Sequence, residues 1–436
     1  MRSHLLFLAS VLFNEAVVQA TNNNCIVPHT PNADDSPAIM EVFGRCSVNK
    51  TIVFSAGVAY NAWTPMRWTG LSNVNINVKG SLHLPNNITD VQAKVVTAYG
   101  TVTPAPWFYI QGTNVHLTGS ESDGAGALHG YGQQWWDGMV QKSRPTMVQF
   151  NVSHGTISKM KVIKPVAQGF NIPGNNIIIK NHFVDAMPTN GSRDLTASFP
   201  FNTDGFNIGG QNITIDGYYG HNGDDCVSIV NKAKNVVAKN GYCGFSSHGL
   251  SIGSLGKDGA NSQVADIVFD NWVMDNAVYG ARFKSWTGGK GLARNITWKN
   301  MKLVNVSTPI FITQNYYDQN KGPRPNNTEG TSTKVQDFHF ENFKGDINPN
   351  YTDGTCISNP CWNWVDGING TQGIIFDLYE GTATGLQVKN FHVHPYQQGY
   401  EKTTVICDPA TLAAGEQDTL GFKCQNGPFV ETSIAS

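Results

Sequence analysis

The sequence predicts an all-β fold, a right-handed parallel β-helix closed by a short N-terminal helix, and three observations carry that reading. Short alternating stretches rich in Val and Ile recur along the chain, as VQFNV from residue 148, FNIPGNNIIIKN from 170, FNIGGQNITIDG from 206 and VSIVNKAKNVVAKN from 227. The pattern continues through LSIG from 250, RFKSW from 282, FIT from 311 and IIFD from 374. Units begin roughly 21 to 36 residues apart until a longer last step, and each closes on Asn or Gly. A period in that range, with turn residues between strands and no helical spacing of apolar positions, marks a solenoid whose stacked coils share one core. An ordinary β-sandwich also alternates short strands and turns, but these units are too many and too regular for two sheets of one small domain.

Taken in chain order, residues 1–20 (MRSHLLFLASVLFNEAVVQA) place Arg2 before an apolar centre and end on Val18-x-Ala20, the pattern of a cleaved secretory leader. The expectation is a secreted, extracellular protein, free of the membrane and monomeric, whose residues 21–436 form one continuous domain. Solenoid ends need caps. DDSPAIMEVFGRC at 34–46 supplies one, with Ser36 as N-cap, Pro37 in the first turn and Ile39, Met40 and Phe43 on an apolar face. Eight cysteines suit an oxidising compartment. Sequence proximity pairs Cys25 with Cys46, Cys226 with Cys243, Cys356 with Cys361 and Cys407 with Cys424. No Cys-x-x-Cys pair and no His at ligand spacing from a cysteine favours a metal site instead. Asn-x-Ser/Thr sequons at Asn49, Asn87, Asn151, Asn190, Asn212, Asn295, Asn305, Asn326, Asn350 and Asn369 are candidate glycosylation sites. With 30 basic against 32 acidic residues the chain is near neutral, which argues against nucleic acid as a partner.

Only 14% of residues are charged, yet NGDDCVSI at 222–229 sets two aspartates side by side at the mouth of a strand. Neighbouring carboxylates raise one another's pKa, so the pair needs a reason. FNTDG at 201–205 and SSHGLSIG at 246–253 lie in the flanking coils, Asp224 following Asp204 by 20 residues and His248 following Asp225 by 23. Coils stack about 5 Å apart, so Asp204, Asp224, Asp225 and His248 should converge on one face. The next coil adds Arg282 and Lys284, two residues apart and so on the same side of a strand. Taken singly, the aspartate pair could cap a turn or hold calcium, His248 could sit in a turn, and the two cations could be solvated. Together they suit glycoside hydrolysis, which needs one protonated carboxyl and others ionised to activate water. Trp135 and Trp136 in GYGQQWWDG are either core or a platform for a sugar ring.

These motifs resemble the family 28 glycoside hydrolases, the polygalacturonase family, over nearly the whole mature chain. The pattern appears as Asn202-Thr203-Asp204-Gly205, Gly223-Asp224-Asp225, Ser247-His248-Gly249 and Arg282-Phe283-Lys284, with Ser247 where the family carries glycine. The resemblance implies a right-handed parallel β-helix and an inverting hydrolysis. Asp224 would protonate the glycosidic oxygen, Asp204 and Asp225 would activate water, and His248 would support the acid. Arg282 and Lys284 would clamp a galacturonate carboxylate, with Tyr316 and Asn202 as further substrate contacts. No metal or organic cofactor is implied, and the expected partner is homogalacturonan, the acidic polysaccharide of plant cell walls.

Attack at chain ends is favoured over internal cleavage. The stretches 188–200 and 341–373 interrupt the repeat and could wall off a groove, and GYGQQWWDG, GARFKSWTGGKG and TQNYYDQNKGPRPNN look like fungal exopolygalacturonases. An endopolygalacturonase or a xylogalacturonan hydrolase is the alternative on the same fold. A pectate lyase would want a calcium-binding acidic cluster and a base for C5. A non-catalytic carbohydrate-binding solenoid would not need two aspartates beside a histidine.

Overall fold

The structure, a computed structural model, describes residues 23–99, 105–189, 198–317, 330–351, 353–356, 361–397, 399 and 402–434. The leader, the sequons at Asn190 and Asn326, most of the 188–200 stretch and the 318–329 part of TQNYYDQNKGPRPNN lie outside them. The described strands form one 25-stranded system in which each strand pairs in parallel with its equivalents one coil before and after, save one antiparallel pair at the C-terminal end. This is the parallel β-helix that the repeats predict.

Three rows of strands run along the helix. The first begins in Met66–Val78, Ala105–Thr118 and Pro145–Ser158 and continues through Phe170–Ile172, Phe206–Ile208, Val227–Ile229, Leu250–Leu255, Tyr279–Trp286, Thr308–Tyr316, Gln372–Asp377 and Thr404–Cys407. Its inward ladder stacks Phe170, Phe206, Val227, Leu250, Ala281, Ile310, Ile374 and Val405 in unbroken register, and a second ladder runs from Ile172 to Phe376. Alternate residues of a strand face opposite ways. The same register therefore projects Asn171, Asn207, Ser228, Ser251, Arg282, Phe311, Ile375 and Ile406 outward as a single row. That row is the floor of the site.

Asparagine sets the corners. Asn240, Asn271, Asn300, Asn342 and Asn390 all adopt positive φ within the long strands Lys234–Gly244, Asn261–Asp275, Lys290–Val306, Lys334–Ile347 and Ala383–Pro395. Asn tolerates this left-handed backbone better than most residues. Its amide also bonds along the stack, Asn271 to Asn240 at 2.8 Å and both Asn342 to Asn300 and Asn390 to Asn342 at 2.9 Å. Asn212 and Asn235 extend a second such ladder from Asn176. These ladders explain why the repeating units close on Asn.

At the N-terminal end, helix Ser36–Arg45 covers the first coils with Ile39, Val42 and Phe43 buried, and Phe43 stacks on Trp68 at 3.9 Å. Two details correct the sequence reading. Ser36 is the first helical residue rather than the cap: Asp35 stands at the cap position, and the Ser36 N–H donates to Asp34 instead. Met40 is exposed, and Val42 takes the inward place because it shares a face with Ile39. Trp135 and Trp136 are core, buried in the short helix Gln133–Asp137. Disulfides join the four cysteine pairs that proximity indicates. Among the described residues no helix is long and apolar enough to cross a membrane.

Ile229 is fully buried and touches ladder neighbours above and below. Ile229→Ala should cost about 2–5 kcal/mol of unfolding free energy by removing methyl groups from a site that cannot collapse. Chemical denaturation of the two proteins checks it.

Candidate active site

The motifs around Asp204, Asp224, Asp225 and His248 lie on the short turns that lead into Phe206–Ile208, Val227–Ile229 and Leu250–Leu255. Gly205 N–H donates to the Asp225 carbonyl at 2.9 Å, and Cys226 N–H to that of Gly249, also at 2.9 Å. Phe206, Val227 and Leu250 are partners in register. It follows that Asp204, Asp225 and His248 occupy equivalent positions, each two residues before its strand. The sequence reading, which counted one coil from Asp204 to Asp224, is shifted here by a residue: Asp225 stands over Asp204, and Asp224 is displaced sideways. The motif glycines allow the close stacking. A Cβ on Gly205 would lie 2.3 Å from the Tyr218 hydroxyl, and Gly249 combines φ +70° with a Cβ position 2.2 Å from the Tyr279 carbonyl.

Asp225 is fully buried and gripped on both oxygens. Arg282 Nη2 donates to Oδ1 at 2.6 Å, Ser251 Oγ to the same atom at 2.5 Å, and Lys284 Nζ to Oδ2 at 3.0 Å. Arg282 Nε in turn donates to Ser251 Oγ at 2.9 Å. Asp224 is held differently. Its Oδ1 accepts from the Asp225 N–H at 2.8 Å and lies 3.2 Å from His248 Nδ1, while Asn202 Nδ2 donates to Oδ2 at 3.3 Å. Asn202, expected as a substrate contact, is itself fixed by Arg144, whose Nη2 donates to its Oδ1 at 2.6 Å. Tyr316 lies edge-on to Trp286 and beside Lys284 at the margin of the cluster. Ser247, the departure from the motif, is accommodated, because its Oγ accepts the Gly249 N–H at 2.9 Å and packs against the Cys226–Cys243 bridge.

Sequence reasoning missed Arg144, Ser251, Tyr279, Trp362 and above all Asp353. The 348–371 insert brings Asp353 to the cluster, where its Oδ1 lies 3.1 Å from His248 Nε2. It is separated from His248 by 105 residues and belongs to no coil of the repeat, so no spacing rule reaches it. Trp362 from the same insert packs over Arg282, whose guanidinium carbon is 5.2 Å from the ring centre. Beyond Arg282, the floor residues Phe311, Ile375 and Ile406 are buried in one apolar cluster with Trp362, Val365 and Tyr317. On the other side Asn171 and Asn207 stay half-exposed.

Burial and the neighbouring Asp224 and Asp225 push Asp204 well above the usual carboxylate range. Against its own burial, Asp224 is held well below that range by His248, Lys284 and Arg282. Burial alone would lower His248, but Asp353 and Asp224 raise it to about 9. Donor atoms of Asp224, Asp225 and His248 lie within 4.8 Å of one another, close enough for a metal ion. Arg282 and Lys284 already supply the countercharge there, and the arrangement is better suited to handling protons. A buried carboxyl that resists ionisation beside one that favours it, with buried cations next to them, suits glycoside hydrolysis.

Comparison with known proteins agrees. The family model for glycosyl hydrolases family 28 matches residues 69–391, and the chain belongs to that family. It is 38% identical over 429 residues to a probable exopolygalacturonase C of Neosartorya fischeri, covering 94% of this chain and 93% of that one. A relative of the same name from Aspergillus terreus is 39% identical over 425 residues, covering 94% of each. Among solved structures, the endo-xylogalacturonan hydrolase of Aspergillus tubingensis superposes with a TM-score of 0.72 at 23% identity, over 93% of this chain and 99% of that one. Endopolygalacturonase I of Stereum purpureum, complexed with two galacturonates, gives 0.58 at 19% identity, over 87% and 99%. The fold is thus the right-handed parallel β-helix, and the protein is a glycoside hydrolase.

A raised histidine pKa stabilises the fold while the group is charged. The His248 contribution is complete below its unfolded value near 6.5 and is lost as pH rises through about 9. The unfolding free energies of wild type and His248→Gln should therefore converge by roughly 3 kcal/mol between pH ~6 and pH ~10. Denaturation at several pH values measures the gap.

Proposed function

We propose that this glycoside hydrolase is a secreted exopolygalacturonase that cleaves α-1,4-galacturonosidic bonds of polygalacturonate with inversion, releasing galacturonic acid from chain ends. The leader pattern at residues 1–20 and the four disulfides support secretion. The names of the 35–39% identical relatives support the substrate and the mode of attack. One observation carries the reading furthest. Arg282 is the last polar residue of its floor row, and from Phe311 onward that row is buried with Trp362 and Val365 of the 348–371 insert. An endo enzyme needs floor on both sides of the scissile bond to seat an internal stretch of polymer. A floor covered on one side suits a chain end.

In this reading the galacturonate carboxylate docks on Arg282 and Lys284, Arg282 as a planar fork and Lys284 as a point charge. Tyr316 contacts the sugar beside them, and Asn202, fixed by Arg144, borders it from the other side. The free site keeps its proton on Asp204, because Lys284 and Arg282 help to hold Asp224 ionised. An incoming carboxylate cancels part of that positive field, so the Asp224 pKa rises and the proton moves there from Asp204. Asp224 then protonates the departing glycosidic oxygen. Asp204, now ionised, takes a proton from the attacking water, which Asp225 helps to orient. Inversion requires about 6.5–9.5 Å between acid and base carboxyls to admit that water. His248 holds Asp224 in place. Asp204 loses its proton as pH rises, so the optimum is weakly acidic; an optimum above pH ~8 would count against these roles.

A time course on polygalacturonic acid, following viscosity and separated products together, tests the proposal. Monogalacturonate should be the product from the earliest points while viscosity falls slowly. Asp224→Asn should lower kcat by about 10²–10⁴-fold, the usual worth of a general acid. Mixed oligomers with a rapid viscosity drop would show internal cleavage. Product from xylogalacturonan alone would move the substrate and leave the aspartates in place.

A further inference from the structure

We propose that Asp353 is a positioning residue for this hydrolysis: carried into the site by the 348–371 insert, it holds the Nε2–H of His248 so that Nδ1 faces Asp224. The inference deepens the reading above and rests on Asp224 being the group that delivers the proton.

The geometry is closed on every side. Asp353 Oδ1 accepts from His248 Nε2 at 3.1 Å and from both the backbone N–H and the hydroxyl of Thr355 at 2.8 Å. Trp362 Nε1 donates to Thr355 Oγ1 at 2.9 Å, and Asn363 Nδ2 donates to the Tyr279 hydroxyl at 2.8 Å. Asn363 Nδ2 also reaches Asp353 Oδ2 at 3.5 Å, so the carboxylate is anchored by its own insert and, through Asn363 and Tyr279, to the strand bearing Arg282. A buried carboxylate is costly unless paired and hydrogen-bonded, and Asp353, only 5% exposed, is both. His248 is faced by Asp224 and Asp225 from the preceding turn, by Arg282 and the ring of Tyr279 from Tyr279–Trp286, and by Asp353 and Trp362 from the insert.

The two ring nitrogens then have separate tasks. With Nε2–H committed to Asp353, Nδ1 lies 3.2 Å from Asp224 Oδ1 and 3.1 Å from Arg282 Nη1. Arg282 can only donate. In the charged ring Nδ1–H therefore donates to Asp224, and in the neutral ring the Nδ1 lone pair accepts from Arg282 instead. Asp353 keeps this exchange on one nitrogen and favours the charged ring. Without it, Nε2–H would face the rings of Tyr279 and Trp362 with no acceptor fixed there, and the ring would hold its proton less tightly.

The test uses the full-length protein with labelled histidine and follows the His248 imidazole by NMR against pH, His248→Gln identifying the signal. Rates on polygalacturonate are measured over the same range. In Asp353→Asn the amide still accepts from Nε2–H, but the charge is gone. The His248 midpoint should fall by at least about one unit, a tenfold loss of proton affinity. At the pH optimum kcat should drop about tenfold, part of what a general acid supplies, while KM stays within about twofold. Asp353→Glu, which keeps the charge, should restore both the midpoint and kcat. If His248 titrates alike in wild type and Asp353→Asn, or kcat is unchanged while only thermal stability falls, Asp353 merely anchors the insert and the proposal is overturned. Should Asp353→Asn fail to fold, wild type decides: a His248 midpoint near 6.5 overturns the proposal, and one above pH ~8 supports it. A shifted His248 in a protein inactive on polygalacturonate would sink the substrate reading and leave the Asp353–His248 coupling standing.

Discussion

The grip of Arg282 and Lys284 on the buried Asp225 is the interaction on which the rest of the site depends. An ionised carboxylate out of water is tolerated only with full pairing, and here each oxygen has its own cation. Both cations leave one strand at positions two apart, which places them on the same face. Asp225 reaches them because its turn is stacked in fixed register under that strand. A slip of one residue would turn Arg282 and Lys284 into the apolar interior, so the inward ladders of Ile, Val and Phe fix the electrostatics as well as the fold.

Arg282 and Lys284, both buried, concentrate positive charge beside Asp224 and Asp225. This reconciles an acidic substrate with a chain whose formal charge is −2: attraction is local and buried, and the overall charge has little part in it. Asp204 and Asp224 differ in proton affinity because Asp224 borders His248 and the two cations, whereas Asp204 borders mostly other carboxylates.

The coil period made the candidate cluster legible in the sequence. Asp204, Asp225 and His248 sit at one position of the repeat, and Arg282 and Lys284 on one side of the next strand, so stacking alone brings them together. The same logic made the Asn corners and the disulfides readable. It placed Asp224 a residue out of step, because turn lengths differ between coils and only hydrogen bonds fix the equivalence. It could not find Asp353 or Trp362, since an insert obeys no period and its path depends on what it packs against. Arg144 escaped for a related reason: it precedes its strand, in a return segment whose course the ladders do not set. At the cap, the N-cap falls one residue before Ser36 and the inward place two residues after Met40, the usual ambiguity where a helix starts.

The insert at 348–371 is a single stretch of chain with two attachments. It covers Phe311, Ile375 and Ile406, and it presents Asp353 to His248. A shorter insert would uncover the floor and withdraw the carboxylate in the same step. In the reading proposed above, the mode of attack and the charge on His248, two traits that could vary separately among enzymes of this fold, are set by the same two dozen or so residues.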